Sequence, residues 1–195
     1  MFNYDKKYLS EEVSTGGTTI NVDGCYECFI TEAKIRKSEK SDSEILNLKI
    51  IDAKTEKKAW LNIPYKKKNG EDIDFNLRHL SHLTYLLGVK PEADNNGFIN
   101  AWTNKVIGIF LTVQATTLNN GNQGYNFNLQ GFYDPNNKLT AKEKSENLQP
   151  ETYKKFKERF ANSEPVELNS TNNSNNFNNT NDNGFFPINN DDIPF

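Results

Sequence analysis

Two neighbouring segments in which apolar and polar residues alternate constrain the fold of this chain more than any other feature. They run from about Ile45 to Ala53 and from about Lys57 to Tyr65, separated by a short turn. The apolar residues on one face of the two segments are Leu46, Leu48, Ile50, Ala59, Leu61 and Ile63. A period of two residues is that of a β-strand with one face on a core. The segments therefore predict two consecutive strands, with their polar residues on the opposite face.

Three further strands are predicted. The first runs from about Cys25 to Arg36, the others from about Val106 to Ala115 and from Tyr125 to Phe132. In the first of these strands the residues expected to face the core are Phe29, Ala33 and Ile35. In the last strand, the residues opposite the apolar face are Asn126, Asn128 and Gln130.

Two segments have helical periodicity instead. Residues 76–87 place leucines at helical spacing, with Asp74 or Asn76 as a candidate cap and Gly88 at the end. A second helix is predicted from Pro150 to about residue 161. Its aromatic stripe, which is expected to pack on the body, consists of Tyr153, Phe156 and Phe160.

The order of the elements favours a mainly β fold. Three strands, one helix and two strands follow each other as in an OB-fold, a five-stranded barrel. Other small barrels and α+β sandwiches remain open alternatives. The predicted organisation is an N-terminal arm (residues 1–24), the barrel domain (25–133), a linker with a C-terminal helix (134–161) and a disordered tail (162–195).

The tail differs from the body in composition and charge. Twelve of its 34 residues are Asn, and it holds five acids and no base, which is typical of a disordered segment. The whole chain has a net charge of -3, but removing the tail leaves 23 bases against 26 - 5 = 21 acids. Residues 34–68 include eleven Lys or Arg and five Asp or Glu. This segregation of charge predicts a basic surface on the body.

Several function classes are disfavoured by what the sequence lacks. It holds no apolar run near the roughly 20 residues that span a bilayer and no signal peptide at its start. We therefore expect a cytoplasmic protein without a membrane partner. Phosphate loops, nucleophile elbows and paired metal-ligand motifs are missing, so neither an enzyme nor a cofactor is expected.

Cys25 and Cys28 are spaced to point to opposite faces of a strand, which suits neither metal chelation nor a redox pair.

Trp60 is the centre of the predicted binding surface. It shares a strand face with polar residues and lies between lysine clusters, so it combines a flat π-surface with cations. These are the two requirements for single-stranded nucleic acid, because cations replace the counterions of the phosphates and aromatic rings accept unstacked bases. The alternative is that Trp60 is a core or rim aromatic and that the lysines form a solvated face. The candidate residues are Tyr26, Lys34, Arg36, Lys37, Lys49, Lys58, Trp60, Lys66, Lys67, Lys68 and Tyr125.

The chain ends in a compact candidate ligand for another protein. Its last residues are Asp191, Asp192, Ile193, Pro194 and Phe195. A terminal aromatic ring can fill an apolar pocket while the adjacent α-carboxylate pairs with Arg or Lys. Phe195 beside a free carboxylate therefore predicts a partner-binding tip.

This tip resembles the acidic Asp-Asp-Ile-Pro-Phe ending of bacterial single-stranded DNA-binding proteins. The body is closer to phage-encoded single-stranded DNA-binding proteins, on its opening Gly24-Cys25-Tyr26 and its segment from Leu83 to Gly88. The resemblance implies an OB-fold that coats single strands without sequence preference, catalyses nothing and acts in the cytoplasm of a bacterial host. It also implies that the tip recruits a helicase, polymerase or nuclease in replication, recombination or repair. Only the tip carries over residue by residue.

Two other functions remain open from the residues. The chain could be a recombination mediator or annealing protein, which also binds single strands. It could also be an adaptor whose barrel binds protein or peptide, with its lysines merely solubilising it.

Overall fold

The fold is mainly β. The computed structural model describes residues 19–38, 42–118 and 120–168. Its five strands form one antiparallel sheet in the order β3-β2-β1-β4-β5. They are β1 Gly24–Lys37, β2 Glu44–Asp52, β3 Lys58–Lys66, β4 Val106–Thr117 and β5 Gln123–Tyr133. The predicted strands are confirmed, with ends that differ by one or two residues.

β1 is the central strand of this sheet. Its first part, Gly24 to Phe29, pairs with β4, and its longer second part, Cys28 to Lys37, pairs with β2. β3 and β5 are the edge strands, and no strand ladder joins them within the described residues. The sheet is therefore open between β3 and β5.

The faces of β2 and β3 are those predicted, because both strands alternate without interruption. The prediction for β1 is wrong at Phe29, whose side chain is 43% exposed. A bulge between Ile30 and Glu32 adds one residue to β1 and exchanges the two faces. Cys28 and Ile30 are buried on one side of the bulge, and Ala33 is buried on the other.

The helix α1, Asp74–Leu87, lies between β3 and β4 as predicted. It ends at Gly88, which has left-handed backbone angles and donates its N–H to the Thr84 carbonyl at 3.0 Å. The predicted side-chain cap is wrong, since the N-cap is Ile73 without a capping hydrogen bond. Asn76 instead donates to the Pro64 carbonyl at 2.6 Å and so joins the first turn of α1 to β3.

Two helices follow the sheet. The short α2, Ala141–Ser145, was not predicted and begins with a capping box between Thr140 and Glu143. α3, Glu151–Arg159, is the predicted C-terminal helix. Its aromatic stripe packs on the body as predicted: the ring of Phe156 stacks on that of Phe110 with 4.3 Å between centroids.

The sheet consequently has apolar contacts on both sides. The main core lies between the sheet and α1, and it includes the fully buried Trp102, whose Nε1 donates to the Val89 carbonyl at 3.0 Å. The second cluster lies under α3 around Phe110 and Tyr133. Cys28 belongs to the first cluster and Cys25 packs against the second, so the two thiols face opposite sides of β1 as predicted.

The first and last described residues meet beside the sheet. Ile20 is fully buried and donates its N–H to the Lys58 carbonyl at 2.9 Å. Val166, which the sequence analysis assigned to the tail, packs against the main core and donates its N–H to the Asn21 carbonyl at 2.6 Å. The Tyr125 hydroxyl donates to the Val166 carbonyl at 3.3 Å. No described helix is long and apolar enough to cross a membrane.

Candidate nucleic-acid interface

Lys49 and Trp60 are cross-strand neighbours on the side of the sheet away from the main core. They pair directly in the antiparallel register of β2 and β3. Lys49 remains 47% exposed while its ammonium group makes an ion pair with Glu32 at 3.1 Å. An exposed pair of this kind contributes little to stability. A phosphate group can therefore compete with Glu32 for Lys49 at low cost.

Two further cations lie on the same side, on the second part of β1. The Lys34 ammonium is 4.3 Å from the centroid of the Phe98 ring, a cation–π contact. Arg36 donates from Nε to Oδ1 of Asn47 at 2.7 Å, and Asn47 in turn donates to Asn62 on β3. Arg36 is therefore held over β2, whereas Lys34 is held beside Phe98, which pairs with β1 on the edge opposite β2. We call this surface the basic face, defined by Lys34, Arg36, Lys49, Lys58 and Trp60.

The remaining predicted cations lie at the ends of the strands. Lys37 and Lys66 both pair with Glu44, so they lie at the same end of the sheet. Lys67 and Lys68 follow in the exposed turn after β3, where Lys67 makes an ion pair with Glu71 at 3.2 Å. Lys58 lies at the opposite end of β3. β3 spans about 25 Å at roughly 3.3 Å per residue, so cations flank Trp60 on both sides along the strand.

Tyr26 and Tyr125 lie on the other side of the sheet. Tyr26 packs against the main core with its ring over Gly24, and its hydroxyl donates to the Val22 carbonyl at 2.6 Å. Burial raises the pKa of the Tyr26 hydroxyl well above its usual range. Tyr125 also packs against the core and is tied to Val166. The structure therefore does not bring these two rings together with Trp60.

A cleft of about 730 Å³ adjoins Trp60 between the two edge strands. α1 and α3 contribute to its walls. We call it the polar cleft, and its lining residues are Trp60, Leu61, Asn62, Ile63, Pro64, Phe75, Asn76, His79, Thr112, Gln114, Asn126, Phe127, Asn128, Leu129, Gln130 and Arg159. Six of these side chains are carboxamides, none is a carboxylate, and Arg159 is the lone permanent cation among them. The cleft therefore offers neutral hydrogen-bond donors and acceptors beside the cations of the basic face.

Some of these lining residues were missed by sequence reasoning. Thr112 and Gln114 interrupt the largely apolar segment from Val106 to Ala115, and this irregularity was the available signal. They lie opposite Asn128 and Asn126 in the register of β4 and β5. Arg159 ends the basic run of α3, and only the tertiary fold places it in the same cleft as residues of β3. Its guanidinium lies 5.6 Å from the Phe160 ring centroid.

His79 is the least ordinary side chain in the cleft wall. It is 7% exposed, and both ring nitrogens are buried without a hydrogen-bond partner among the described residues. Its ring stands edge-on to Phe75 at 4.7 Å and to Phe132 at 6.2 Å. Desolvation, reinforced by His82, lowers the pKa of His79 below its ordinary value. The imidazole is therefore neutral at pH 7.

The predicted partner-binding residues Asp191, Asp192, Ile193, Pro194 and Phe195 lie outside the described residues. Among the residues that are described, no group of three or more His, Cys, Asp or Glu side chains could hold a metal ion. A scan against protein-family models found no match, and a search of curated proteins found no significantly similar sequence.

Proposed function

We propose that this chain is a single-stranded DNA-binding protein that coats DNA of any sequence. The observation that carries the proposal is the pairing of Lys49 with Trp60 on the face opposite the main core, beside a polar cleft whose lining holds no carboxylate. The cations would bind phosphates and release their counterions, while Trp60 would stack on a base. Stacking tolerates every sequence because each base has a π-face.

The strand order supports an OB-type fold as the finer description. In an OB-fold the faces of strands 2 and 3 and the loops between strands 1 and 2 and between strands 4 and 5 bind oligonucleotides. Here Lys49 and Trp60 are on strands 2 and 3, and the helix α1 stands between strands 3 and 4. A DNA strand lying across β2 and β3 would pass from the basic face to the mouth of the polar cleft.

The biological role that we propose combines DNA binding by the sheet with partner binding by the acidic tip. A protein that coats single strands without catalysing a reaction protects them during replication, recombination or repair. The acidic tip, Asp191 to Phe195, would then recruit a helicase, polymerase or nuclease to the coated strand. Support for the tip is the sequence alone: two adjacent carboxylates are followed within three residues by an aromatic side chain.

A gel shift with a dT oligonucleotide at several salt concentrations tests DNA binding. We expect a shift whose affinity falls steeply with salt, because each phosphate contact contributes about -0.7 to the slope of log K against log[salt] on single strands. Binding of the oligonucleotide should quench the fluorescence of Trp60. The Trp60→Phe variant is the control, because its fluorescence reports only on the buried Trp102. An affinity that hardly changes with salt, together with unchanged Trp60 fluorescence, would refute the proposal.

The same preparation separates the two other functions that the sequence leaves open. An adaptor that binds only protein or peptide gives no shift with the dT oligonucleotide. A recombination mediator or annealing protein gives the shift but also strongly accelerates pairing of complementary oligonucleotides, which a coating protein does not.

A further inference from the structure

We infer that the polar cleft is a subsite for one unstacked nucleobase, whose Watson–Crick edge is bound by side-chain carboxamides of β4 and β5. The inference rests on the proposed binding of single-stranded DNA, and it adds that a base of the bound strand occupies the cleft. It also adds a property that coating alone does not require: affinity depends on the hydrogen-bonding edge of the base as well as on its π-face.

The first support is the separation of charge between the basic face and the cleft. Phosphates are drawn to Lys34, Arg36 and Lys49 on the basic face, whereas the cleft lining holds the single permanent cation Arg159 and no acid. An uncharged, hydrogen-bonding base suits such a lining better than a phosphate does. Trp60 lines the cleft and also belongs to the basic face. A strand bound along β2 and β3 can therefore keep its phosphates on the cations and direct a base into the cleft.

The second support is the free hydrogen-bonding capacity of the carboxamides. The side-chain amides of Asn126, Asn128 and Gln114 make no hydrogen bond to any residue within the described ranges 19–38, 42–118 and 120–168. Gln130 donates to Thr112 at 3.4 Å and to the Asn128 carbonyl at 3.5 Å, both at the long limit. A carboxamide offers a donor and an acceptor side by side, which matches the adjacent donor and acceptor on a base edge.

The third support is His79. Its two nitrogens are buried and unpaired among the described residues, and Phe75, which stands against its ring, is itself 64% exposed. Buried polar groups are normally hydrogen-bonded, so an unpaired imidazole in a cleft wall indicates a partner that arrives with a ligand. A base that displaces Phe75 from His79 would supply that partner and cover the Phe75 ring.

The test uses the full-length chain and three fluorescein-labelled strands of equal length. One carries thymines, one carries N3-methylthymines and one is abasic. N3-methylation removes the donor of the Watson–Crick edge and keeps the π-face, so it separates edge binding from stacking on Trp60. Binding is measured by fluorescence anisotropy at one fixed salt concentration.

We expect the wild-type chain to bind the thymine strand about tenfold more tightly than the N3-methylthymine strand. The double variant Asn126→Ala/Asn128→Ala should bind both strands equally, at the level at which the wild type binds N3-methylthymine. Gln114→Ala, at an exposed position, should reduce the difference and serves if the double variant fails to fold. Asn96→Ala removes an exposed carboxamide outside the cleft and should keep the full difference.

Equal binding of the thymine and N3-methylthymine strands by the wild type would overturn the inference. So would a difference that persists undiminished in folded Asn126→Ala/Asn128→Ala and in Gln114→Ala. In both cases DNA binding itself stands. Failure of the proposed function is a separate result, in which none of the three strands binds at the salt concentration used.

Discussion

Lys49 of β2 lies directly opposite Trp60 of β3, and both side chains are on the side of the sheet away from the main core. The common side of the two residues results from the uninterrupted alternation of these strands. Because Leu48 and Leu61 face the main core, the next residue of β2, Lys49, and the preceding residue of β3, Trp60, face the other side. The backbones of Lys49 and Trp60 are thus about one strand spacing apart, roughly 5 Å. This distance allows one nucleotide to contact both.

Replacing Trp60 should weaken DNA binding with little change in fold stability. We expect Trp60→Ala to lower the affinity for a dT oligonucleotide by about tenfold to a hundredfold, since stacking contributes roughly 1–3 kcal/mol per base. Trp60→Phe should retain much of it. Tyr85→Ala is the matched control, because Tyr85 is exposed and does not line the cleft. Anisotropy titrations measure the effect; equal affinities for Trp60→Ala and Tyr85→Ala would contradict the prediction.

Deleting Asp191 to Phe195 should separate the two proposed activities. We expect unchanged or tighter DNA binding at low salt, because the deletion removes carboxylates that we expect to compete for the basic face, and salt screens such competition. Capture of a purified host helicase, polymerase or nuclease should be lost. Deleting residues 172–176 removes the same length and leaves the tip, so it should keep capture. If the chain without its tip captures these partners as well as the full chain does, the tip has no recruiting role.

The fold should lose stability below about pH 6.5 because of His79. Its pKa is lowered in the fold by desolvation first and by His82 second, while the unfolded chain binds this proton near the ordinary pKa of about 6.5. Between the two pKa values the unfolded state binds more protons, so the free energy of unfolding rises with pH. The stabilisation is complete above about pH 6.5 and is lost as pH falls towards the lowered value.

Urea unfolding between pH 5.0 and 7.5 checks this dependence. The decline should flatten in His79→Leu and persist in His82→Ala, somewhat reduced because His82 is the smaller of the two causes. The carboxyl groups of Asp134 and Glu143, whose pKa values are lowered by hydrogen bonds that outweigh their burial, titrate below this range. A decline of the same size in His79→Leu would assign it to other groups.

Two glycines with similar backbone angles should respond very differently to alanine. Gly97 and Gly121 have φ values of +84° and +79°, where a Cβ costs about 1 kcal/mol. At Gly121 nothing lies within 4 Å of the added atom, whereas at Gly97 it would overlap the backbone carbonyl of Ile35. We expect Gly121→Ala to lose about 1 kcal/mol of unfolding free energy and Gly97→Ala about 3 or more. Equal losses in urea unfolding would contradict this reading of the turn at Gly97.

The sequence allowed the sheet to be predicted more fully than the site. Leu48 and Leu61 alternate without interruption, so the outward side of Lys49 and Trp60 followed from local spacing. Phe29 was assigned to the wrong face because a bulge at Thr31 leaves no mark in hydrophobic periodicity. The same bulge puts Tyr26 on the core side, opposite to the side that the spacing from Lys34 and Arg36 predicts. Tyr125 alternates with Asn126 and Asn128, so its place on the core side was already available from the sequence.

The polar cleft could not be predicted because its walls are distant in sequence. Asn126 and Asn128 were recognised as one face of a strand, yet their position across from Asn62 depends on how β5 approaches β3. His79 and Arg159 reach the cleft only through the packing of α1 and α3. Sequence periodicity gives the direction of a side chain relative to its own strand or helix, and tertiary packing decides which directions converge.

The hydrogen bond between Val166 and Asn21 brings the two ends of the described body together. Chains whose ends are adjacent tolerate circular permutation, because a short linker can close them without moving the elements between. New ends could be opened in the exposed turn around Gly70, far along the chain from that junction. For the same reason, the body could be inserted through its adjacent ends into a loop of another protein, with its basic face and cleft left intact.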